Sequence, residues 1–199
     1  MKLQNEATNN FNGLIQVRQD RLRNYLRITG IPEKPGKRNP ITDKMDPEDT
    51  EEVVCNFLKD NMDITVTVAD LDSARRVRKT DKDRNSSKPR PIVCEFIRHS
   101  VRQKVITNRR KLKGTGIGIH EMLTEGNRYV YEATQDMAKS VNLEEVKKVW
   151  TWNGVTHILA EDDKKIYRYV VRSIQDINNV EKLHSGVSHK KDSNKPDAE

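Results

Sequence analysis

In the run PIVCEFI at residues 91–97, the apolar residues Ile92, Cys94 and Phe96 occupy every second position. A period of two is typical of a β-strand that buries one face. The run LRITGI at residues 26–31 alternates in the same way and is followed by a stretch containing Pro and Gly. The sequence therefore predicts two strands, each with one apolar face, and the other elements can be placed outward from them.

Two helices and two further strands are predicted around these runs. Asp46 can cap a first helix, and Ser100 can cap a second helix over residues 100–112. The further strands are expected over residues 64–77 and around residues 117–119. The order strand, helix, strand, strand, helix, strand is that of the ferredoxin-like βαββαβ module. The RNA-recognition motif is the commonest nucleic-acid-binding version of this module.

A second α+β unit is predicted after this module. Thr124 can cap a helix with an apolar face, and residues 146–152 and 155–159 alternate as strands. These strands flank Asn153-Gly154, which is the strongest short-range signal for a β-hairpin. A further strand and a closing helical turn are expected over residues 166–170 and 174–177.

Trp150 and Trp152 are two residues apart on a predicted strand, so they share one face of it. They can belong to the core beneath the preceding helix. Alternatively, they can form a platform on which single-stranded bases stack. Both interpretations are left open by the sequence.

The two ends of the chain differ from the middle. Near the N-terminal end, a seam of positions with alternating spacings of four and three indicates about two heptads of coiled coil. Its apolar members are Phe11, Ile15, Leu22 and Tyr25, and Arg18 occupies the remaining position. The C-terminal end is polar and is expected to be disordered. We therefore divide the chain into a coiled-coil tail and linker, an RNA-recognition-motif-like domain, a C-terminal nucleic-acid-binding domain and a disordered tail, over residues 1–23, 24–121, 122–184 and 185–199.

Positive charge is concentrated in one segment. The chain has 37 Lys and Arg against 30 Asp and Glu, a net charge of +7. Residues 73–113 alone hold 15 basic and three acidic residues, a net charge of +12. A single-sign stretch of this size favours a polyanionic partner such as nucleic acid.

Base stacking on the first sheet is not expected. Arg27 and Thr29 should face outward from the first strand, and Pro91 and Val93 from the third. Neither strand is therefore predicted to present an exposed aromatic ring, and binding would use basic loops and helix ends.

Five short runs occur in a fixed order: LRITGIPE at 26–33, ARRV at 74–77, PRPIV at 89–93, LT at 123–124 followed by Arg128, and VWTWNG at 149–154. Together they resemble the RNA-binding protein encoded by the first open reading frame of LINE-type non-LTR retrotransposons, over about residues 18–177. The resemblance implies an aromatic-poor RNA-recognition-motif domain, a small C-terminal domain and a homotrimer formed through an N-terminal coiled coil. It also implies binding of single-stranded RNA, including the element's own transcript, and of DNA, with nucleic-acid chaperone activity.

Candidate nucleic-acid-binding residues follow from the resemblance and from the charge. The resemblance implies contacts at Arg75, Arg76, Arg78, Arg109, Arg110, Lys111 and Arg128. The concentration of charge adds Lys88, Arg90 and Lys113, and the platform interpretation adds Trp152.

Other classes of function find little support. The sequence has no P-loop, HExxH or GxSxG motif, and its histidines lack metal spacing. We therefore expect no catalytic residues, no cofactor, no metal site and no membrane span. The expected location is cytoplasmic ribonucleoprotein particles, with the nucleus as a second compartment. A host RNA-binding protein of the same fold and a non-catalytic oligomeric scaffold remain alternatives.

Overall fold

A computed structural model describes residues 13, 16–34, 48–78, 86–140, 146–161 and 165–188. These residues form a mixed α+β protein with two antiparallel sheets, which confirms the predicted class. They fall into two compact units. The first unit is Arg21–Met122, and the second contains the described residues from Leu123 onward together with those before Arg21.

The first unit has a four-stranded sheet with strand order β2-β3-β1-β4. Its strands are β1 (Tyr25–Thr29), β2 (Leu71–Arg76), β3 (Ile92–Phe96) and β4 (Gly118–Glu121). Its helices are α1 (Thr50–Met62), between β1 and β2, and α2 (His99–Thr107), between β3 and β4. Two 3-10 turns, Val68–Asp70 and Asn108–Leu112, precede β2 and follow α2.

One face of this sheet forms the core of the first unit. Leu26, Ile28, Ile92, Cys94 and Phe96 are completely buried on it, as the alternation of both runs predicted. The helices cover this face with side chains that belong to the same apolar cluster, among them Val54, Leu58, Met62 and Val105. The sheet therefore has one covered and one open face.

Three element boundaries in the first unit differ from the predictions. The second helix spans His99–Thr107, with Arg98 instead of Ser100 at its N-cap position, and residues 108–112 form a 3-10 turn. Asp49, not Asp46, caps α1, because its carboxylate accepts a hydrogen bond from the Glu52 N–H at 3.0 Å; Asp46 itself lies outside the described residues. The strand expected over residues 64–77 begins only at Leu71. Before it, the Asp70 carboxylate accepts hydrogen bonds from the backbone N–H and hydroxyl of Thr67, which closes a 3-10 turn.

The second unit has a three-stranded sheet with strand order β5-β6-β7. Its elements are α3 (Glu125–Ser140), β5 (Val146–Trp152), β6 (Val155–Glu161), β7 (Ile166–Val171) and α4 (Ile174–Ser188). Both helices pack on one face of the sheet, where the buried cluster contains Met137, Ile158, Val171, Ile177 and Val180. Asn153 and Gly154 both have positive φ, 49° and 77°, which confirms the predicted tight hairpin.

The last helix is longer than the single turn predicted, and it extends past residue 185, where the tail was expected to begin. Ser173 and Asp176 form a capping box: the Ser173 hydroxyl accepts from the Asp176 N–H, and the Asp176 carboxylate accepts from the Ser173 N–H. With Ile177 and Val180 buried, the helix continues to Ser188. The rest of the tail lies outside the described residues.

The predicted coiled-coil seam does not continue into the described residues. Residues 16–21 are helical, but Leu22 lies in a turn and Tyr25 begins β1. Burial of Leu26 and Ile28 in the first sheet draws this part of the chain into a strand. Phe11 and Ile15 lie outside the described residues.

A polar side chain attaches the helical residues 16–21 to the second unit. Gln19 is only 4% exposed, and its Oε1 accepts hydrogen bonds from the Thr124 N–H at 3.0 Å and the Asn127 Nδ2 at 3.1 Å. A Cβ atom added at Gly154 would overlap the Gln19 side chain. Gly154 is therefore required both by its positive φ and by the close approach of Gln19.

We expect Gly154→Ala to lower the free energy of unfolding by about 2 to 3 kcal/mol, of which about 1 kcal/mol comes from the left-handed backbone. Gly116→Ala is the control, because Gly116 has a φ of 76° but open space around its Cβ position. Urea unfolding should show a smaller effect for the control. Adding Gln19→Ala to Gly154→Ala should restore part of the loss, and equal effects of the two glycine changes would contradict the contact.

Candidate nucleic-acid interface

The open face of the first sheet carries a basic row that crosses all four strands. The strand registers place Arg75, Val93, Arg27 and His120 side by side, from β2 through β3 and β1 to β4. Adjacent strands are about 4.8 Å apart, so the row is about 14 Å long. We call these four residues the basic row.

Val93 is the apolar centre of the basic row. It faces away from the helices, as predicted, yet it is only 5% exposed. Its cross-strand neighbours are Arg27 and Arg75, and arginine stems cover apolar surface while their charged heads remain in water. Val93 therefore supports the two arginines at the surface of the sheet.

The open face of β1 carries one half-buried aromatic ring that was not predicted there. Tyr25 lies on the open face of β1, on the same parity as Arg27, and is paired across the strands with Glu95. A hydrogen bond with Glu95 raises the pKa of the Tyr25 hydroxyl, and partial burial adds to the increase. Sequence reasoning missed this ring because Tyr25 was assigned to the coiled-coil seam.

Arg109 extends the positive charge toward the β4 edge, where it lies near His120. Desolvation lowers the pKa of His120, and the nearby charges of Arg109 and Arg27 lower it further. The Arg109 Nη1 also lies 3.5 Å from the Ile119 carbonyl. The structure thus brings the predicted Arg109 close to His120 and Arg27, which were not predicted as site residues; the alternation along β1 and β4 was the signal that could have found them.

Arg76 is a structural residue, which corrects its assignment to the binding site. Its side chain is 5% exposed, and all five of its N–H groups are used. The Nε and one Nη2 hydrogen bind the carboxylate of Glu48 at 2.8 and 3.1 Å. The others bind backbone carbonyls at 2.8 to 2.9 Å, those of Ile31, Pro32 and Arg90.

Arg90 and Lys111 also have partners within the first unit. The Nε and Nη2 of Arg90 donate to the Glu33 carboxylate at 2.9 and 2.7 Å. The Lys111 ammonium donates at 2.8 Å to the carbonyl of Met62, at the C-terminal end of α1, where a cation is favourable. These contacts reduce the capacity of both residues to bind phosphate, so neither is a primary candidate.

The remaining predicted cations of the first unit lie at its surface. Arg75, Arg78, Lys88, Arg110 and Lys113 are exposed, and Arg109 is half-buried. Together with Arg27 they are the candidates of this unit for contacts with a phosphate backbone.

Arg128 and Trp152 belong to the second unit and lie on different sides of its sheet. Arg128 is exposed on α3, which packs on the covered face. Trp152 lies on the opposite face of β5 and is 42% exposed. Trp150 shares that face and stacks on His157, so its interpretation as core beneath the helix is wrong.

In comparisons with known proteins, the chain matches no family model and no curated protein sequence. Among the residues that the structure describes, no group of three or more His, Cys, Asp and Glu side chains is placed to hold a metal ion. Within the same residues, no helix has the length and apolar character needed to cross a membrane. The geometry of the side chains therefore carries the functional argument.

Substitution of the adjacent residues Arg75 and Arg76 should change the free energy of unfolding by very different amounts. Arg76→Ala leaves Glu48 without its buried partner and should lower the free energy of unfolding by about 3 kcal/mol. Arg75→Ala removes an exposed side chain and should change it by less than about 0.5 kcal/mol. Urea unfolding measures both, and replacing Arg76 and Glu48 together with Met should recover much of the loss; equal destabilisation by the two alanine variants would refute the assignment.

The carboxylates bound to these arginines should make the first unit sensitive to acid. Hydrogen bonds from Arg90 lower the pKa of Glu33 from 4.5 to about 2, and the side chain of Arg76 lowers that of Glu48. Their contribution to stability is present above pH 4.5 and is lost as the pH falls toward 2. Unfolding free energies measured over this range should fall less steeply for Glu33→Gln than for the unmodified chain, and parallel curves would contradict the pairing.

Proposed function

We propose that the protein binds single-stranded RNA and DNA and acts as a nucleic-acid chaperone in the ribonucleoprotein of a LINE-type retrotransposon. The resemblance of the five ordered runs supports the retrotransposon origin. The proposed partners are the element's own transcript and DNA. The intact protein is proposed to assemble as a homotrimer and to reside in cytoplasmic ribonucleoprotein particles, with the nucleus as a second compartment.

The proposal assigns the first unit to the ferredoxin-like, RNA-recognition-motif class. Its elements follow the order β1-α1-β2-β3-α2-β4, and its sheet order is β2-β3-β1-β4 with both helices on one face. This arrangement leaves the opposite face open, which is the face on which such domains bind RNA. The open face is therefore the proposed interface.

The observation that carries the proposal is the basic row. Arg75 and Arg27 flank the buried Val93, and Arg109 adds a positive charge at the β4 edge beside His120. Guanidinium groups bind phosphate oxygens in bidentate fashion, so a strand crossing the sheet can place its phosphates along this row. Contacts with phosphates position a strand without reading its sequence.

Chaperone activity follows from the same chemistry. Cations that neutralise phosphates displace counterions and reduce repulsion between two strands. Contacts that do not depend on the base sequence let the strands rearrange while they remain bound. An enzyme site is not needed for this activity, and we propose none.

Binding should be mainly electrostatic and selective for single strands. If about six cations contact phosphates, log K should fall with log salt at a slope of about −4, since each contact with a single strand contributes about −0.7. Arg27→Gln with Arg75→Gln should reduce the magnitude of this slope by about 1.4. Fluorescence anisotropy of labelled oligouridine over a salt series measures it.

The matched control is Lys59→Gln with Lys104→Gln, which removes the same charge from exposed positions on α1 and α2, on the helix side of the sheet. This variant should keep the slope of the unmodified chain. Equal losses in the two variants would assign binding to net charge alone. Absence of salt-dependent binding would instead favour the non-catalytic scaffold.

A further inference from the structure

In the described part of the chain, helices cover one face of the sheet of the second unit, and the other, bare face combines aromatic rings with positive charge. The helices pack on the opposite face, where Val149, Thr156 and Ile158 point. Alternate residues on the bare face include Lys148, Trp150, Trp152, His157, Arg168 and Val170. We call these six residues the outer platform.

The rings of the outer platform are already arranged for stacking. Trp150 and His157 are cross-strand neighbours whose ring centroids lie 5.4 Å apart, with an angle of 18° between the ring planes. The Lys148 ammonium lies 5.2 Å from the centroid of Trp150, within the range of a cation–π contact. Trp152 follows two residues later on the same face, about 7 Å along the strand.

Large apolar side chains on this face are accessible to solvent. Trp152 is 42% exposed and Val170 is 44% exposed. An exposed apolar patch edged by polar residues marks a binding surface more often than an ordinary solvated face. The outer platform therefore has the character of a contact surface.

Charge on the platform indicates which ligand it fits. Lys148 and Arg168 both lie opposite Leu159, one on each side of the central strand, so two cations form a row beside the row of Trp150, His157 and Val170. Among the described residues of this face, the only carboxylate belongs to Glu161, at the end of β6. Cations beside a row of aromatic rings complement a chain of phosphates that carries unpaired bases.

We infer that the outer platform is a second binding surface for single-stranded nucleic acid, with bases stacked on Trp152 and Trp150 and phosphates bound by Lys148 and Arg168. This inference rests on the proposed function and adds a stacking surface to the phosphate contacts of the first unit. Duplexes are excluded because paired bases do not offer their faces to the rings. Stacking tolerates any base, so the platform binds without strong sequence preference.

The chain provides its own probe for this inference. It contains two tryptophans, and both belong to the outer platform. Titration with oligouridine should quench the tryptophan emission with the same midpoint as the anisotropy of the labelled strand. A duplex of the same length should leave the emission unchanged.

Variants separate stacking from charge. Trp152→Ala should weaken binding of oligouridine at least about fivefold and leave the salt slope unchanged, whereas Trp152→Phe should retain most of the affinity. Lys148→Gln with Arg168→Gln should reduce the magnitude of the slope by about 1.4. Tyr129→Ala is the matched control, because Tyr129 is 63% exposed but lies on α3, on the other side of the sheet.

The outcomes distinguish this inference from the proposed function. If Arg27→Gln with Arg75→Gln weakens binding while Trp152→Ala has unaltered affinity and the emission does not change, the platform is overturned and the proposed function stands. If oligouridine does not bind even at low salt, both fail. If Trp152→Ala reduces self-association in sedimentation and leaves nucleic-acid affinity unchanged, the face is a contact between copies of the chain and the inference is wrong.

Discussion

The position of β2 in the first unit depends on a buried cation, Arg76. The guanidinium of Arg76 joins the loop after β1, the residues before α1 and the residue that leads into β3, through contacts with Ile31, Glu48 and Arg90. A buried guanidinium is tolerated only when its hydrogen bonds are satisfied and its charge is paired. The network meets both conditions, and it holds the end of β2 in place beside β3.

The burial of Arg76 also determines the position of the neighbouring Arg75. Side chains alternate across a strand, so burial of Arg76 directs Arg75 to the open face. There Arg75 joins Val93, Arg27 and His120 in the basic row. A slip of one residue in β2 would exchange the two arginines and remove both the network and the row.

Among the residues that the structure describes, helices cover one face of each sheet and leave the other face bare, which antiparallel sheets permit. Their bare faces differ in chemistry. The first offers cations around a buried Val93 with Tyr25 beside them, and the second offers two tryptophans together with Lys148 and Arg168. In the proposed function the first face holds phosphates, and the further inference assigns base stacking to the second.

The sequence alone determined the parts of the protein that depend on local periodicity. The alternation around Leu26 and Phe96 predicted the buried faces of two strands, and Asn153-Gly154 predicted the tight turn, because each signal is contained within a few adjacent residues. It also located the basic segment, since net charge is independent of conformation. Only the tertiary structure decided which cations are accessible. Arg76 and Lys111 read like their neighbours in the sequence, but their partners Glu48 and Met62 lie 28 and 49 residues away along the chain, and only folding brings those partners into contact.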